Sequence, residues 1–454
     1  MVIVGAGLAG SLLSVYFAKR GIEAYVYERR PDMRRSDAGG GKSINLALST
    51  RGIHALKEVG LYDEIKRISI PMFGRKLHAP DGTLTFQRYG KDDTEYINAV
   101  SRAELNKSLM DLSESITGRK IRFNSRCTGI DFAGKVVSFT DDQTGESYDV
   151  EAEAVIATDG ATSAVRMEMM KIPRFNFAQV YENYGYKELT IPAGSDGGFL
   201  MEKNALHIWP RGSYMLIALP NLEGSFTCTL FLPYDKSLGG ENSLEHLEDR
   251  KNLIPFFERN FHDALALMPD LEEQYYSHPT GTLMTVKCYP WTFGDVVTLL
   301  GDSAHAIVPF FGQGMNAAFE DCTVLNELIG VHGADWKKVF AEYQAVRKPN
   351  TDAIADLAQE NFIEMRDLVA DPRFQFKKKI EAELFKRHPD KFVPKYSMVT
   401  FLRVPYSEAL KRGRIQESIL DKLIEGAHAV EEVDWSNASA LVERSLTKIE
   451  IPKN

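Results

Sequence analysis

The chain has 454 residues, of which 44% are apolar and 26% are charged. These fractions are close to those of average globular proteins and argue against disordered or fibrous classes, while the length indicates two or three domains of ~150 residues each. A net charge of −9 argues against a nucleic-acid-binding protein, which usually carries a basic face. The four cysteines have no short paired spacing, which argues against a metal site or a CxxC redox motif and predicts a reducing, cytoplasmic compartment.

The two ends of the chain show no targeting pattern. No apolar run reaches the ~18–20 residues that cross a bilayer, so no transmembrane anchor is expected. Met1 continues directly into Val2 without a basic leader, which argues against a signal peptide. The start is abrupt for a strand and suggests that a few residues precede it in the natural chain. We expect a soluble monomer or weak homodimer without nucleic-acid partners.

The first ~30 residues have the size and pattern of a βαβ unit. Residues 2–4 form a short apolar run that predicts a buried strand, and a helical pattern of apolar residues follows from residue 8 to residue 18. Residues 24–27 predict a second strand, which ends at Glu28.

Gly5, Gly7 and Gly10 have the spacing GxGxxG between this first strand and the helix, which is the context that a dinucleotide-binding loop requires. Glycine lets the backbone approach a pyrophosphate, whose charge is stabilised at the positive end of the helix. Glu28 lies eighteen residues after Gly10, where an acidic side chain accepts hydrogen bonds from a ribose. The same carboxylate would repel a 2′-phosphate, so NADPH is not expected at this site.

Two later aspartates favour FAD over NAD. Residues 154–157 and 296–300 predict further strands, which end in the dipeptides DG at Asp159 and GD at Asp302. An acidic side chain at a strand end can hold a second polyol such as a ribityl chain, which NAD lacks. Each aspartate alone is better explained as a helix cap. The combination of three such sites predicts FAD.

The middle and the end of the chain differ from this pattern. Between residues 180 and 290, several runs are rich in β-branched and aromatic residues and are separated by turn residues, which predicts an antiparallel sheet. From Ala317 onward the periodicity is helical. Residues 36–42 contain three glycines in a row and predict a mobile loop.

Several segments resemble known flavoproteins. The N-terminal GxGxxG, the central DG and the late GD together resemble the class A flavoprotein aromatic hydroxylases. Longer strings are similar to the kynurenine 3-monooxygenase family, namely GKSINLALS at 41–49, LHIWPR at 206–211, SFTCTLF at 225–231, HAIVPFFGQGMN at 305–316 and YSMVTF at 396–401. Eukaryotic members of that family carry a C-terminal membrane anchor, and its absence here favours a soluble, bacterial form.

The resemblance implies an FAD-dependent monooxygenase. It would convert L-kynurenine to 3-hydroxy-L-kynurenine with NADPH and O₂ through a flavin C4a-hydroperoxide, in tryptophan catabolism by the kynurenine pathway and in NAD biosynthesis. The implied fold class is α/β, with a Rossmann-like FAD-binding domain of the p-hydroxybenzoate hydroxylase kind, an antiparallel substrate domain and a C-terminal helical region. The expected segments are 1–70, 98–175 and 286–330 for the FAD-binding domain, 71–97 and 176–285 for the substrate domain, and 331–454 for the helical region.

For the flavin, the resemblance implies contacts from the glycine loop, the strand ends and a late helix. The residues are Gly5, Gly7, Leu8, Ala9, Gly10, Tyr27, Glu28, Arg29, Ala47, Arg102, Cys127, Asp159, Gly301, Asp302, Gly314, Met315 and Asn316. Arg102 would pair with the pyrophosphate, and the amides of Met315 and Asn316 would stabilise negative charge on the reduced flavin. NADPH would bind transiently, without a nucleotide domain of its own.

For the substrate, an arginine beside tyrosine and asparagine donors suits an α-carboxylate. The resemblance implies contacts from Arg75, Tyr89, Phe231, Phe311, Asn361, Glu364, Met365 and Tyr396, with Pro309 and Phe310 as further apolar walls. Glu364 follows Asn361 by three residues, which predicts a shared helical face, and it would meet the substrate ammonium. The site is expected between the middle sheet and the C-terminal helices.

No catalytic side chain beyond the flavin is expected. The carbon ortho to an aniline nitrogen is already nucleophilic, so a protein base is not required. His305 follows the GD dipeptide and is expected to pack or to cap rather than to catalyse. Two alternatives stay open, a class A hydroxylase for another aromatic acid and a flavin-binding regulatory or electron-carrier protein.

Overall fold

The computed structural model describes residues 1–35, 45–368, 371–425 and 427–450, with the side chain of residue 367 left out. The predicted loop at 36–42 and the first part of the string at 41–49 therefore lie outside the described residues. The chain divides into two units. Unit 1 comprises residues 1–70, 98–182 and 282–355, and unit 2 comprises residues 71–97, 183–281 and 356–454.

Strands and helices cover most of the described chain. The strands are β1 Val2–Val4, β2 Tyr25–Tyr27, β3 Asn45–Leu48, β4 Ser69–Met72, β5 Gly74–His78, β6 Leu84–Arg88, β7 Ile97–Ser101, β8 Ser125–Asp131, β9 Val136–Asp141, β10 Ser147–Glu151, β11 Val155–Ala157, β12 Asn176–Ile191, β13 Ala205–Pro210, β14 Met215–Pro220, β15 Phe226–Pro233, β16 Gly281–Tyr289, β17 Thr292–Phe293 and β18 Val297–Leu299.

The helices are α1 Leu8–Lys19, α2 Thr50–Val59, α3 Tyr62–Arg67, α4 Arg102–Thr117, α5 Ala164–Met169, α6 Lys236–Gly239, α7 Leu253–Asn260, α8 His262–Leu265, α9 Leu271–Ser277, α10 Asp302–His305, α11 Gly314–His332, α12 Trp336–Ile363, α13 Pro372–Arg387, α14 Lys395–Thr400, α15 Tyr406–Ile424 and α16 Trp435–Ser445. Short 3₁₀ turns occupy His246–Glu248, Arg250–Asn252, Pro309–Phe311 and Val430–Glu432, and a π turn occupies Glu364–Leu368. Within the described ranges, no helix is long and apolar enough to span a bilayer.

Unit 1 is built on a five-stranded sheet in the order β17-β18-β11-β1-β2. The pairs β2–β1, β1–β11 and β11–β18 are parallel, and β17 runs antiparallel at the edge. The four parallel strands are apolar in sequence because a parallel sheet is covered on both faces. Their carboxyl ends meet at one edge, which is where ligands of open α/β sheets bind.

Unit 2 is built on a mainly antiparallel sheet with the order β12-β15-β14-β13-β5-β6, in which only β13 and β5 pair in parallel. The pairs on either side of β14 are tight hairpins, as the turn residues between the strands predict. All eight residues of β15 are buried. A core of aromatic and aliphatic side chains includes Trp209, Phe226 and Phe257. A separate cluster holds α13, α15 and α16 together through residues such as Ile380, Ile419 and Val442.

A row of titratable side chains is buried in unit 2 at the end of β5. His78 Nδ1 lies 2.6 Å from Asp263 Oδ2, and His78 Nε2 lies 2.9 Å from His207 Nδ1. His207 Nε2 lies 2.9 Å from the carbonyl oxygen of Glu202, so this nitrogen must donate. Burial lowers the pKa of His207 to about 4, so its Nδ1 accepts at neutral pH. His78 therefore bridges the Asp263 carboxylate and the ring of His207.

We predict that the stability of the protein declines in mild acid because of His207. An unfolded histidine gains a proton near pH ~6.5, whereas folded His207 resists protonation until pH about 4. As the pH falls between these values, only the unfolded chain binds this proton, so the free energy of unfolding falls by up to ~3 kcal/mol. Urea unfolding of the parent and of His207→Asn as a function of pH measures this. The variant should decline less steeply, and parallel curves would contradict the assignment.

Candidate functional site

The glycine loop of unit 1 closes against the neighbouring strand. Gly5 has φ +101°, and a Cβ there would lie 2.6 Å from the carbonyl oxygen of Thr158. A Cβ at Gly10 would lie 2.0 Å from the carbonyl oxygen of Gly5. Only glycine fits at these two positions. At Gly7, by contrast, a Cβ would meet nothing within 4 Å. This open space lies where a ligand would approach the loop.

The N-terminus of α1 is available to an anion. Gly7 is the N-cap and supplies no side-chain hydrogen bond, and no acidic residue lies in the first turn. The first amides of a helix, here starting at Leu8 and Ala9, have no intrahelical partner and carry the positive end of the helix dipole. Such a terminus is a phosphate-binding arrangement.

Glu28 lies directly beside this loop at the end of β2. Its Oε2 accepts a hydrogen bond of 2.8 Å from the amide of Ala6, and its Oε1 accepts bonds of 3.0 Å from the amide and Nε of Arg30. A carboxylate has four lone-pair positions, so capacity for a ribose hydroxyl remains. Tyr27 is buried and stacks on Phe139 with ring centroids 4.2 Å apart, whereas Arg29 is exposed. Tyr27 is therefore part of the core.

Asp159 lies at the next strand end, after β11. Its Oδ2 accepts hydrogen bonds from the amides of Ala164 (2.7 Å) and Val165 (3.3 Å), so it caps α5. Its Oδ1 is buried and has no hydrogen-bond partner among the described residues. Burial raises the pKa of Asp159 above its usual range. An unpaired buried acceptor is costly, and a hydroxyl donor of a ligand would satisfy it. Asp159 thus accepts backbone hydrogen bonds at the start of α5 with one oxygen, and its other oxygen suits a hydroxyl donor of a polyol.

The turn at Gly301 and Asp302 ends β18. Gly301 has φ +67°, and its amide donates a hydrogen bond of 3.0 Å to Asp321 Oδ2. The Asp302 carboxylate is exposed, and we find no hydrogen-bond partner for it within the described chain. The turn is therefore fixed through its backbone, and the side chain of Asp302 stays available to a ligand.

A buried ionic network anchors this turn. Arg347 donates 2.6 Å hydrogen bonds to Asp321 and Glu320, and Arg51 donates a 3.1 Å bond to Glu320. His305 Nε2 lies 2.5 Å from Asp321 Oδ2. Burial alone would raise the pKa of Asp321, but the charges of His305 and Arg347 hold it below its usual range. His305 is thus committed to the protein interior.

The N-terminus of α11, like that of α1, has no side-chain cap. Gln313 occupies the N-cap position, and the helix begins at Gly314. The side chain of Asn316 accepts from the amide of Ser49 at 2.9 Å and donates to the carbonyl of Ala47 at 2.8 Å. Asn316 therefore fixes β3 with its side chain, while the amides of the first turn, including that of Met315, point out of the helix start.

Two further predicted flavin contacts differ in their availability. Arg102 is exposed at the N-terminus of α4, and no ion pair is seen for it among the residues that the structure describes. Cys127 is buried in the core of unit 1, and burial raises the pKa of its thiol to about 12. Arg102 can bind a phosphate, whereas Cys127 can contribute only packing and its backbone.

Sequence reasoning missed Arg166, which joins the two aspartate turns. It is buried on α5, and its Nη1 donates a 2.7 Å hydrogen bond to the carbonyl of Ser303. Its Nη2 donates to the carbonyl of Ala161, and its Nε has no partner among the described residues. Burial lowers the pKa of Arg166. The sequence signal for Arg166 is its position seven residues after Asp159, on the helix that follows the DG dipeptide.

Unit 2 brings Arg75, Tyr89 and Tyr396 together. The guanidinium carbon of Arg75 lies 5.6 Å from the ring centroid of Tyr89 and 5.1 Å from that of Tyr396. The two tyrosine rings stack with centroids 5.3 Å apart. Arg75 Nε and the Tyr89 hydroxyl are buried without hydrogen-bond partners in the described chain. Burial raises the pKa of Tyr89, so the hydroxyl stays protonated. Two unsatisfied donors of this kind suit a carboxylate.

Asn361, Glu364 and Met365 lie where α12 ends. Asn361 is the third-last residue of α12, but Glu364 begins the π turn. The π turn therefore begins only after Asn361, and the prediction that the two residues share a helical face stays a prediction. Asn361 Nδ2 lies 3.3 Å from Met365 Sδ. Glu364 Oε1 lies 3.7 Å from Lys378 Nζ, a residue that the sequence did not single out.

The predicted apolar walls are divided between the units. Phe231 on β15 is buried in unit 2, with its ring centroid 6.1 Å from that of Tyr186. Phe310 and Phe311 are buried in a 3₁₀ turn of unit 1, whose first residue, Pro309, is exposed. Each of these side chains supplies apolar surface within its own unit.

Comparison with known proteins identifies a family and several relatives. The FAD binding domain family matches residues 1–191. Kynurenine 3-monooxygenase of Myxococcus xanthus is 52% identical over 98% of this chain and 95% of its own length. The enzyme of the same name from Flavobacterium johnsoniae is 48% identical over 93% of both chains, and that from Dictyostelium discoideum is 42% identical over 98% of both.

Solved structures share the fold. 2-Methyl-3-hydroxypyridine-5-carboxylic acid oxygenase has a TM-score of 0.62 at 20% identity, covering 82% of this chain and 93% of its own. PqsL of Pseudomonas aeruginosa, crystallised with 2-aminobenzoylacetate, has a TM-score of 0.63 at 19% identity, covering 81% and 96%. The predicted fold class, an α/β FAD-binding fold with an antiparallel sheet and C-terminal helices, is confirmed.

We predict that Glu28→Ala lowers the retention of FAD. Removing an acceptor for a ribose hydroxyl should weaken flavin binding by ~1–3 kcal/mol. Titration of the apoprotein with FAD measures the affinity, and Glu64→Ala, an exposed glutamate on α3, is the matched control. An unchanged flavin affinity in Glu28→Ala would remove Glu28 from the site. Urea unfolding of the apoproteins separates this effect from loss of the Ala6 hydrogen bond.

Proposed function

The chain belongs to the kynurenine 3-monooxygenase family, and on that premise we propose that it hydroxylates L-kynurenine to 3-hydroxy-L-kynurenine with FAD, NADPH and O₂. One oxygen atom enters the ring in place of hydrogen, the other leaves as water, and NADPH supplies two electrons. The relation to enzymes of this name over nearly the whole chain carries the proposal. The unsatisfied donors of Arg75 and Tyr89 also support it, because they could bind the substrate carboxylate.

In unit 1, the residues present fit FAD. The uncapped start of α1 and exposed Arg102 would hold the pyrophosphate, and Glu28 would hold the ribose. The unpaired Oδ1 of Asp159 and the exposed carboxylate of Asp302 would accept hydrogen bonds from hydroxyls of the ribityl chain. Bound FAD supplies two-electron oxidation of NADPH and activation of O₂.

At the start of α11, free backbone amides would stabilise negative charge on the flavin ring. The helix has no side-chain cap and no acidic residue in its first turn. Because these amides already have a fixed direction, they need not reorient when the negative charge forms, and no energy is lost in doing so. Gly314, Met315 and Asn316 therefore act through their backbone.

In unit 2, Arg75, Tyr89 and Tyr396 would bind the substrate carboxylate. A guanidinium and phenol hydroxyls give charge-assisted and directional hydrogen bonds to such a group. Asn361 would complete this carboxylate clamp, and Glu364 would meet the ammonium group. The substrate itself is an aniline, and no protein base is needed at its ring. This agrees with the commitment of His305 to Asp321.

Apolar side chains would exclude water during oxygen transfer. Phe231 and Met365 supply such surface in unit 2, and Phe310 and Phe311 supply it in unit 1. Water at this stage would release peroxide instead of hydroxylated product.

The decisive assay measures NADPH consumption together with the mass of the product. With L-kynurenine, NADPH oxidation should be stimulated and a product one oxygen atom heavier should form. Hydroxybenzoates serve as the comparison substrates. Hydroxylation of a benzoate without hydroxylation of kynurenine would favour a hydroxylase for another aromatic acid. Bound flavin without any substrate-stimulated oxidation would favour a non-catalytic flavoprotein.

We predict that Arg75→Ala weakens L-kynurenine binding by ~2–4 kcal/mol, because the substrate carboxylate would lose its charged partner. Flavin occupancy should stay unchanged. Substrate affinity is measured by calorimetry, with Arg88→Ala as the matched control, since Arg88 lies on the neighbouring strand and is half exposed. Full affinity in Arg75→Ala would mean that the clamp is misplaced.

For the compartment and the assembly, we propose a cytoplasmic monomer or weak homodimer. Buried free thiols at all four cysteines suit a reducing compartment. Fractionation of the source cells and light scattering at several protein concentrations test these two points.

A further inference from the structure

Lys378 on α13 forms a charge cluster with two carboxylates of unit 2. Its Nζ lies 3.2 Å from Glu381 Oε2 and 3.7 Å from Glu364 Oε1. The lysine side chain is 41% accessible, whereas those of Glu364 and Glu381 are 19% and 15% accessible. The carboxylates are thus shielded from solvent, and the lysine is their counter-charge.

Arg75 belongs to the same cluster. Burial alone would lower the pKa of Lys378, but Glu381 and Glu364 raise it, and Arg75 acts in the opposite direction. Burial alone would lower the pKa of Arg75, but Tyr89, Tyr396 and Glu364 raise it above its usual range. Arg75 and Lys378 therefore both interact electrostatically with Glu364, and Lys378 also pairs with Glu381.

We propose that Lys378 and Glu381 set the charge selectivity of the substrate site, so that it prefers zwitterionic amino acids over purely cationic or anionic aromatic amines. The inference rests on the proposed function, because it takes Arg75 and Glu364 as the groups that meet the carboxylate and the ammonium. Lys378 and Glu381 do not touch the reacting ring. They are selectivity residues that act through the electric field at these two contacts.

The physical reason is charge balance. With all four side chains charged, the cluster has no net charge and offers one contact of each sign. Loss of Lys378 leaves a negative excess, which attracts an ammonium group and repels a carboxylate. Loss of Glu381 leaves a positive excess with the opposite preference.

The test compares three probes by calorimetry on the FAD-loaded protein. They are L-kynurenine, the amine formed from it by loss of the carboxylate, and the keto acid that lacks its α-ammonium group. Relative to L-kynurenine, Lys378→Met should improve the affinity for the decarboxylated amine by roughly two- to fivefold, because solvent screens the charge of this partly exposed lysine. Glu381→Gln should shift the ratio in favour of the keto acid.

Two further variants serve as controls. Lys379→Met removes an exposed lysine next to Lys378 and should leave all ratios unchanged. Lys378→Arg keeps the charge and should keep the parent selectivity, which distinguishes the field effect from packing. Thermal unfolding confirms that each variant folds.

The outcomes separate the two proposals. Opposite shifts in Lys378→Met and Glu381→Gln support charge selection by this pair. If L-kynurenine binds and its ratios to the other probes stay unchanged in both variants, the inference is overturned and the proposed function stands. If the parent protein binds none of the probes, the proposed substrate itself is wrong.

Discussion

Two adjacent carboxylates, Glu320 and Asp321, lie in the interior of unit 1, and the geometry of the flavin-binding edge depends on their neutralisation. An isolated buried charge is strongly unfavourable, so each carboxylate must have a cationic partner. Arg347 reaches both, and His305 completes the pairing at Asp321. The remaining acceptor capacity of Asp321 holds the amide of Gly301. Asp321, held in place by His305 and Arg347, thus fixes the turn that carries Asp302.

This arrangement separates structural charges from those that are left for ligands. Arg347 bonds to Asp321, Glu320 and a backbone carbonyl, and His305 pairs with Asp321, which explains why this histidine has no catalytic role in our account. Asp302 and Arg102 are exposed, and Asp159 keeps one buried oxygen unpaired. Binding sites in proteins commonly retain such unsatisfied groups, because a ligand then supplies the missing hydrogen bonds. In unit 2, Arg75 shows the same property.

Much of unit 1 could be predicted from local sequence. Glycines at 5 and 10 are required by sterics that act within a few residues, and the four parallel strands were recognised as short apolar runs. The ionic network could not be predicted, since Arg347 meets Asp321 only through the packing of α12 on α11. The role of Glu364 was only partly predictable. Glu364 begins a π turn that the sequence did not indicate, and Lys378 meets it from another helix.

The central claim is that unit 1 holds FAD at its glycine loop and strand ends, while Arg75 of unit 2 holds the carboxylate of L-kynurenine. A crystal structure of the protein with both ligands tests it most directly. Our account predicts the pyrophosphate at the N-terminus of α1, a flavin hydroxyl on Asp159 Oδ1, and the substrate carboxylate on the guanidinium of Arg75. Electron density that places the carboxylate on another cation, or leaves Asp159 Oδ1 without a donor, would contradict it.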